Sequence, residues 1–201
     1  RARGGRIERA AMDHLIGLVG KDYVLVAADK KIAHSVVALK TDQDKILQLD
    51  NSKCLAGGGE RGDVEQFSEY VQRNMALYNF RNGYELSTHA SAHFIRQQIA
   101  YLIRKNPHMC QMLLGGFDKD VGPSLYWIDY LGNMQQLNAG AHGYGGFFSL
   151  SVMDCHYKKG MNFDEGVALM KKCFEEINTR FLIGGAQFTL KVIDANGVRT
   201  L

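Results

Sequence analysis

No serine, threonine or cysteine occurs between Arg1 and His34, so the first strands of this chain offer no aliphatic hydroxyl or thiol to attack a substrate. Nucleophiles that an adjacent amine or base activates are mostly of those types, and the first of them, Ser35, arrives only after two apolar runs have passed. Proline is nearly absent: Pro107 and Pro123 are the two, and no stretch has the composition of a linker. A two-domain organisation therefore has little support, and 201 residues suffice to bury one sizeable core. The four cysteines (Cys54, Cys110, Cys155 and Cys173) lie far apart without a Cys-x-x-Cys pair. With no secretory signal read at the start, they are expected to be reduced thiols. No apolar run is long enough for a membrane span, and no membrane partner is expected.

An excess of either charge is also lacking, with 24 Lys and Arg against 21 Asp and Glu. The net charge is +3, and four arginines (Arg1, Arg3, Arg6 and Arg9) fall within the first nine residues. A basic tail serves either as a solvated extension or as a contact for nucleic acid or an acidic surface. No Lys/Arg stripe continues into the chain, so residues 1–11 are read as a flexible basic extension, nucleic acid is not expected as a partner, and 12–201 is read as one domain. An Arg-rich start also suits an organelle-targeting peptide, but this one is brief and lacks serine.

What is present is a block pattern. His14 to Val19 and Tyr23 to Ala28 are β-like runs around the turn Gly20-Lys21-Asp22, as in a hairpin. Ile32 to Leu39 and Lys45 to Leu49 are expected to form a second strand pair, followed by a short strand from Lys53 to Ala56 and a glycine-rich turn from Gly57 to Gly62. Val64, Phe67, Val71, Met75 and Tyr78 recur at helical spacing. A second helix is expected after a Ser87 cap, with Ile95, Ile99, Leu102 and Ile103, ending near Asn106-Pro107. Strands are then predicted at Met112 to Phe117, Leu125 to Tyr130 and Met134 to Leu137, and a helix from Phe147 to His156. Asn162 with Glu165 matches a capping box opening a last helix, whose apolar face is Val167, Met170, Phe174, Ile177 and Phe181. Gln187 to Ile193 reads as a strand leading to the hairpin signal Asn196-Gly197. Strands, two helices, strands, two helices, strand: this segregated order favours an α+β stack over an alternating parallel fold.

Several motifs carry chemistry on paper. Gly57, Gly59 and Gly62 satisfy Gly-x-Gly-x-x-Gly, which in a βαβ unit cradles a dinucleotide. A hairpin meander precedes these glycines and a second helix follows the first, so a tight strand-to-helix turn is expected instead. No Gly-Lys-Ser/Thr phosphate loop occurs. His89 and His93 are four apart on a predicted helix, yet Ala90 stands where the zinc-protease pattern needs glutamate, and no third ligand is near in sequence. No metal and no cofactor are expected. Cys155-His156 has no third group to orient it. Asp29 ends the second strand and Lys45 opens the fourth run; such a pair is more often an ion pair than a catalytic one.

With these residues in view, the chain strongly resembles a β-type subunit of the proteasome core particle. The likeness is carried by Tyr23-Val-Leu-Val-Ala-Ala-Asp29, by Lys45, and by Ala56-Gly-Gly-Gly-Glu-Arg-Gly62 opening a long helix. Leu113-Leu-Gly-Gly-Phe-Asp118, His142-Gly-Tyr-Gly-Gly146 and Val152-Met-Asp154 extend it over roughly residues 12 to 199. It implies the four-layer αββα sandwich of the N-terminal-nucleophile hydrolases. Active members begin with a threonine, and the equivalent position here is Asp13. The resemblance matches Asp29 and Lys45 to the family's aspartate and lysine. The serine of the second glycine-rich turn is replaced by Tyr144, and a later aspartate and serine correspond to Arg180 and Ile183.

Asp29 and Lys45 are therefore expected to survive as a structural pair only, with no catalytic residue in this chain. Met12-Asp13-His14-Leu15-Ile16-Gly17 and Arg81-Asn82-Gly83-Tyr84-Glu85-Leu86 most resemble the inactive fourth position of the eukaryotic β ring. The resemblance implies a non-catalytic subunit of the 20S particle, the chamber of ATP- and ubiquitin-dependent protein degradation, in cytoplasm and nucleus. Its expected partners are other β subunits of the same ring, α-ring subunits and the opposing β ring. The alternative is an active N-terminal-nucleophile protease that uses an unidentified nucleophile.

Overall fold

Alternation of side chains along β1 (Leu15–Val19) and β2 (Tyr23–Asp29) sends successive residues into two different apolar layers. The structure, a computed structural model, describes residues 13–34, 37–181 and 187–201. Arg1 to Ala11, Met12, Ser35, Ile183 and Gly184-Gly185 lie outside the described residues, and with them the expectations placed there. β3 (Ile32–His34) and β4 (Val37–Lys40) are followed by β5 (Ile46–Gln48) and β6 (Lys53–Gly59). Two helices come next, α1 (Arg61–Asn82) and α2 (Thr88–Leu102). A second β block holds β7 (Cys110–Asp118), β8 (Gly122–Ile128), β9 (Met134–Leu137) and β10 (Ala139–His142). The chain closes with α3 (Tyr144–His156), α4 (Phe163–Arg180), β11 (Phe188–Asp194) and β12 (Gly197–Thr200).

The strands form two five-stranded antiparallel sheets, ordered β10-β1-β2-β11-β12 and β5-β6-β7-β8-β9. Leu15, Val24, Val26 and Ala28 of the first sheet meet Cys54, Ala56, Leu113 and Leu125 of the second in a layer between the sheets. The alternate residues Ile16, Leu18, Leu25 and Ala27 face away from that layer and pack under α3 and α4, against Met153, Met170, Cys173 and Ile177. On the other side Leu55, Met112 and Leu114 pack under α1 and α2, against Phe67, Val71, Ile95 and Ile99. The order of layers is αββα, as the resemblance implied and in agreement with the α+β stack expected from the block pattern. Glycine sets the closeness of the two sheets: a Cβ on Gly17 would lie 2.8 Å from a Leu125 methyl, and one on Gly115 2.7 Å from a Val26 methyl.

Helix boundaries follow local chemistry. The Ser87 hydroxyl accepts from the Ala90 N–H at 3.2 Å to open α2. Asn162 and Glu165 make both bonds of a capping box at α4, 2.9 and 3.0 Å long. α1 stops at Gly83, which adopts φ 76°. No helix among the described residues is long and apolar enough to cross a membrane.

Three expectations are corrected. Ile32 to Leu39 does not pair with Lys45 to Leu49; β3 and β4 form their own hairpin, while β5 pairs with β6. The apolar residues of β4 misled because they are not core: Val37 is 58% and Leu39 66% exposed, whereas Ile46 is buried between the sheets. Gly57, Gly58 and Gly59 are not a turn but the end of β6, paired with Met112, Gln111 and Cys110. The chain turns only at Gly59, with φ 128°, where a Cβ would lie 2.0 Å from the Met109 carbonyl oxygen. α3 begins at Tyr144, earlier than expected, because Gly145 and Gly146 sit inside its first turn against His14 and Ala141.

Candidate functional site: an ionic cluster at the end of the first hairpin

The hairpin of β1 and β2 closes at its open end through the backbone. The Asp29 N–H donates to the His14 carbonyl at 3.1 Å, and the His14 N–H donates to Asp29 Oδ1 at 2.8 Å. Register therefore puts Asp13, one residue before His14, beside the last residue of β2. Lys45 arrives from the other sheet, just ahead of β5, where its carbonyl accepts the Gly57 N–H at 3.0 Å. The glycines of β6 complete the cavity: a Cβ on Gly58 would stand 2.9 Å from Asp13 Cβ. Sequence read these glycines as a turn; their work is to leave room for α1 and for Asp13.

In that space Lys45 Nζ donates to Asp13 Oδ1 at 2.5 Å, to the Asp29 carboxylate at 2.9 and 2.8 Å, and to the Lys31 carbonyl at 2.7 Å. The side chains of Lys45, Asp29 and Asp13 are 0%, 4% and 14% exposed. The remaining acceptor positions are taken by backbone: Gly59 N–H to Asp13 Oδ2 at 2.7 Å and Lys31 N–H to Asp29 Oδ2 at 3.2 Å. Two carboxylates thus share one ammonium, and three backbone N–H groups offset the excess negative charge. The expected Asp29–Lys45 pair is present, but it is the larger part of a triad. Lys45 has a second anionic partner, the Asp13 carboxylate. An ionised carboxylate only accepts hydrogen bonds, and here both of its oxygens are occupied.

His14 joins this cluster to α3. Its Nδ1 accepts the Gly145 N–H at 3.2 Å, and its ring meets Phe181 edge-on at 4.7 Å. Burial lowers its basicity most; Lys45 adds to that, while Asp29 and Asp13 oppose it, and the net pKa lies below the usual 6.5. Tyr144 is the exposed first residue of α3, adjacent to Gly145. Arg180 ends α4 and pairs with Glu176 on the surface at 2.8 Å, apart from the triad. Ile183 lies outside the described residues.

Other motifs resolve into packing. His89 and His93 stack edge-on at 4.4 Å, and His89 Nδ1 lies 3.2 Å from the Tyr126 hydroxyl. No group of three or more His, Cys, Asp or Glu placed to hold a metal occurs among the described residues. Sequence reasoning missed two buried lysines. Lys53 reaches Asp50 at 3.0 Å and the Ser52 hydroxyl at 2.9 Å, and Lys191 crosses between sheets to the Ile46 carbonyl at 2.6 Å and Asp44 at 2.7 Å. It also missed His142, which bonds the Met112 carbonyl at 3.0 Å and stacks on Trp127. The strand alternation held a signal for Lys191, which breaks an apolar run, but gave nothing about its partner.

Residues 13–193 match the family described as proteasome subunit. The chain is 46% identical over 188 residues to proteasome subunit beta type-2-B of Arabidopsis thaliana, covering 94% of each chain. It is 44% identical to proteasome subunit beta type-2 of Dictyostelium discoideum, covering 94% of this chain and 97% of that one. Against proteasome subunit beta type-4 of Saccharomyces cerevisiae the identity is 40%, covering 94% and 96%. The chain belongs to the proteasome subunit family, among its β-type members.

Proposed function

We propose that this chain is a non-catalytic β subunit of the 20S core particle, at the fourth position of the eukaryotic β ring. It closes the ring and walls the degradation chamber while its neighbours cut peptides. Its partners in this reading are the flanking β subunits, the α ring and the opposing β ring, in cytoplasm and nucleus. The observation that carries the reading is the 2.5 Å contact between Lys45 Nζ and Asp13 Oδ1. A lysine in this place activates a hydroxyl by stabilising its deprotonated form. Here the position holds a carboxylate whose two oxygens are held by Lys45 Nζ and the Gly59 N–H, and it carries no aliphatic hydroxyl to activate. Removing one partner from a buried ionic group leaves uncompensated charge, which gives Lys45 and Asp29 a structural role without a reaction to support.

Treating the assembled particle with an electrophilic inhibitor of threonine proteases, then measuring intact masses, tests this directly. This chain is expected at its unmodified mass while catalytic neighbours gain the adduct. A stoichiometric adduct here overturns the proposal and establishes the alternative, a working nucleophile in this subunit. Lys45→Ala is expected to lower incorporation of the subunit and leave peptide cleavage per assembled particle unchanged. Selective loss of one cleavage specificity in particles that assemble normally counts against the structural role.

A further inference from the structure

The first turn of α3 lacks a cap of its own. The residue before the helix is Gly143, which has no side chain, and the helix has no capping side-chain bond from that position. A helix start leaves four backbone N–H groups without helical partners. One of these, on Gly145, is satisfied from 131 residues away by His14 Nδ1 at 3.2 Å. The fit is tight and specific to glycine: a Cβ at position 145 would stand 2.7 Å from that same nitrogen. Because the backbone N–H donates, the ring nitrogen must accept, which assigns His14 as neutral with its proton on Nε2.

We infer that His14 is an acid-released clasp: as neutral imidazole it caps α3 from β1, and a proton on Nδ1 uncaps the helix and frees its first turn. The reason is geometric. A protonated Nδ1 becomes a donor facing another donor at 3.2 Å, and the imidazolium then sits at the positive end of a helix dipole. The charged groups around the ring are few. Asp13 precedes it on its own strand segment, Asp29 faces it from β2 and Lys45 from ahead of β5. From α3 it meets backbone, and from the end of α4 the ring of Phe181, while Arg180 turns outward to Glu176. The two carboxylates favour the imidazolium; burial and Lys45 disfavour it and prevail. Acid therefore opens the contact below the ordinary histidine range, and neutral pH keeps it closed.

Amide hydrogen exchange on the intact particle tests this as pH is stepped down from 7 to the lowest value at which the particle stays assembled, with each amide's own pH dependence divided out. In the wild type, exchange in peptides covering residues 143–148 is expected to rise about fivefold, the equivalent of one lost cap. Peptides from the middle of α4 should stay unchanged. His14→Asn places an oxygen where Nδ1 stands, accepts the same N–H and does not titrate, so its rise should be abolished. If that variant does not assemble, the wild-type pattern alone decides. A flat response at 143–148, an equal rise throughout α4, or an undiminished rise in His14→Asn overturns the clasp. The test does not depend on whether the chain has a nucleophile.

Discussion

Asp29 and Asp13 both touch Lys45, but they do not hold it equally. Asp29 offers both oxygens to the ammonium and also accepts the N–H groups of His14 and Lys31. Asp13 offers one oxygen to the ammonium and one to Gly59. Asp29→Ala therefore strips the main counter-charge of a fully buried lysine and orphans two backbone donors, at about 3–5 kcal/mol. Asp13→Ala leaves that counter-charge in place and orphans one donor, at about 1–3 kcal/mol. Urea midpoints of particles carrying each variant check the order, and a larger loss for Asp13→Ala contradicts it. His142 makes a second prediction at this scale. Burial holds its pKa down at about 4 against 6.5 when unfolded, with backbone contacts opposing the shift only in part. The unfolded chain takes the proton first, so this contribution is complete above pH 6.5 and lost as pH falls to about 4. The loss sums to about 3 kcal/mol. His142→Gln keeps an N–H for the Met112 carbonyl and cannot titrate. It is expected to show a correspondingly shallower fall in stability between pH 7 and pH 4; parallel pH curves for the two proteins refute the assignment.

At the scale of elements, the junction between β6 and α1 separates two kinds of glycine. Gly59 has φ 128° and no room for a Cβ against the Met109 carbonyl, so Gly59→Ala must displace backbone and should block folding of the subunit. Gly62 lies in the first turn of α1 with nothing within 4 Å of a built Cβ. Gly62→Ala is expected to stabilise by about 0.5–1 kcal/mol, seen as a higher urea midpoint; a loss at 62 or full tolerance at 59 contradicts this reading of the junction. The same junction shows what a sequence discloses and what it withholds. Helices were legible because 3.6-residue periodicity is local: Phe67, Val71, Ile95 and Ile99 are all core. Strand partners were not, because pairing is set elsewhere in the chain. Gly57 to Gly59 extend as a strand only because β7 runs beside them, and Val37 and Leu39 look like core residues until their exposure is known. The candidate site divides in the same way. Asp29 and Lys45 were visible through the family resemblance, whereas the Asp13 contacts to Lys45 and Gly59 span 32 and 46 residues. The cap that His14 gives α3 has no sequence signature.

The whole molecule presents two outer helical layers of different composition, with apolar side chains left in solvent on each. Phe80 on α1 is 88% exposed and Phe147 on α3 is 74% exposed, and the exposed β4 strand adds Val37 and Leu39. Single exposed apolar residues are ordinary on a monomer. Phenylalanines nearly clear of the surface on opposite layers, with a two-stranded hairpin whose outer strand is apolar and uncovered, are less so. Because α1 and α3 belong to opposite layers, these surfaces differ from one another; contacts between unlike patches close rings only when the rotation permits. The separated chain has the patches without the neighbours. It is therefore expected to self-associate as concentration rises, eluting earlier and more broadly from a sizing column. Phe80→Ser combined with Phe147→Ser should shift elution back toward the monomer while leaving the buried layers intact, since neither side chain belongs to a core cluster. A wild-type chain that stays monomeric at every concentration would mean that these surfaces need no cover, and would remove the physical reason for placing the subunit inside a closed assembly.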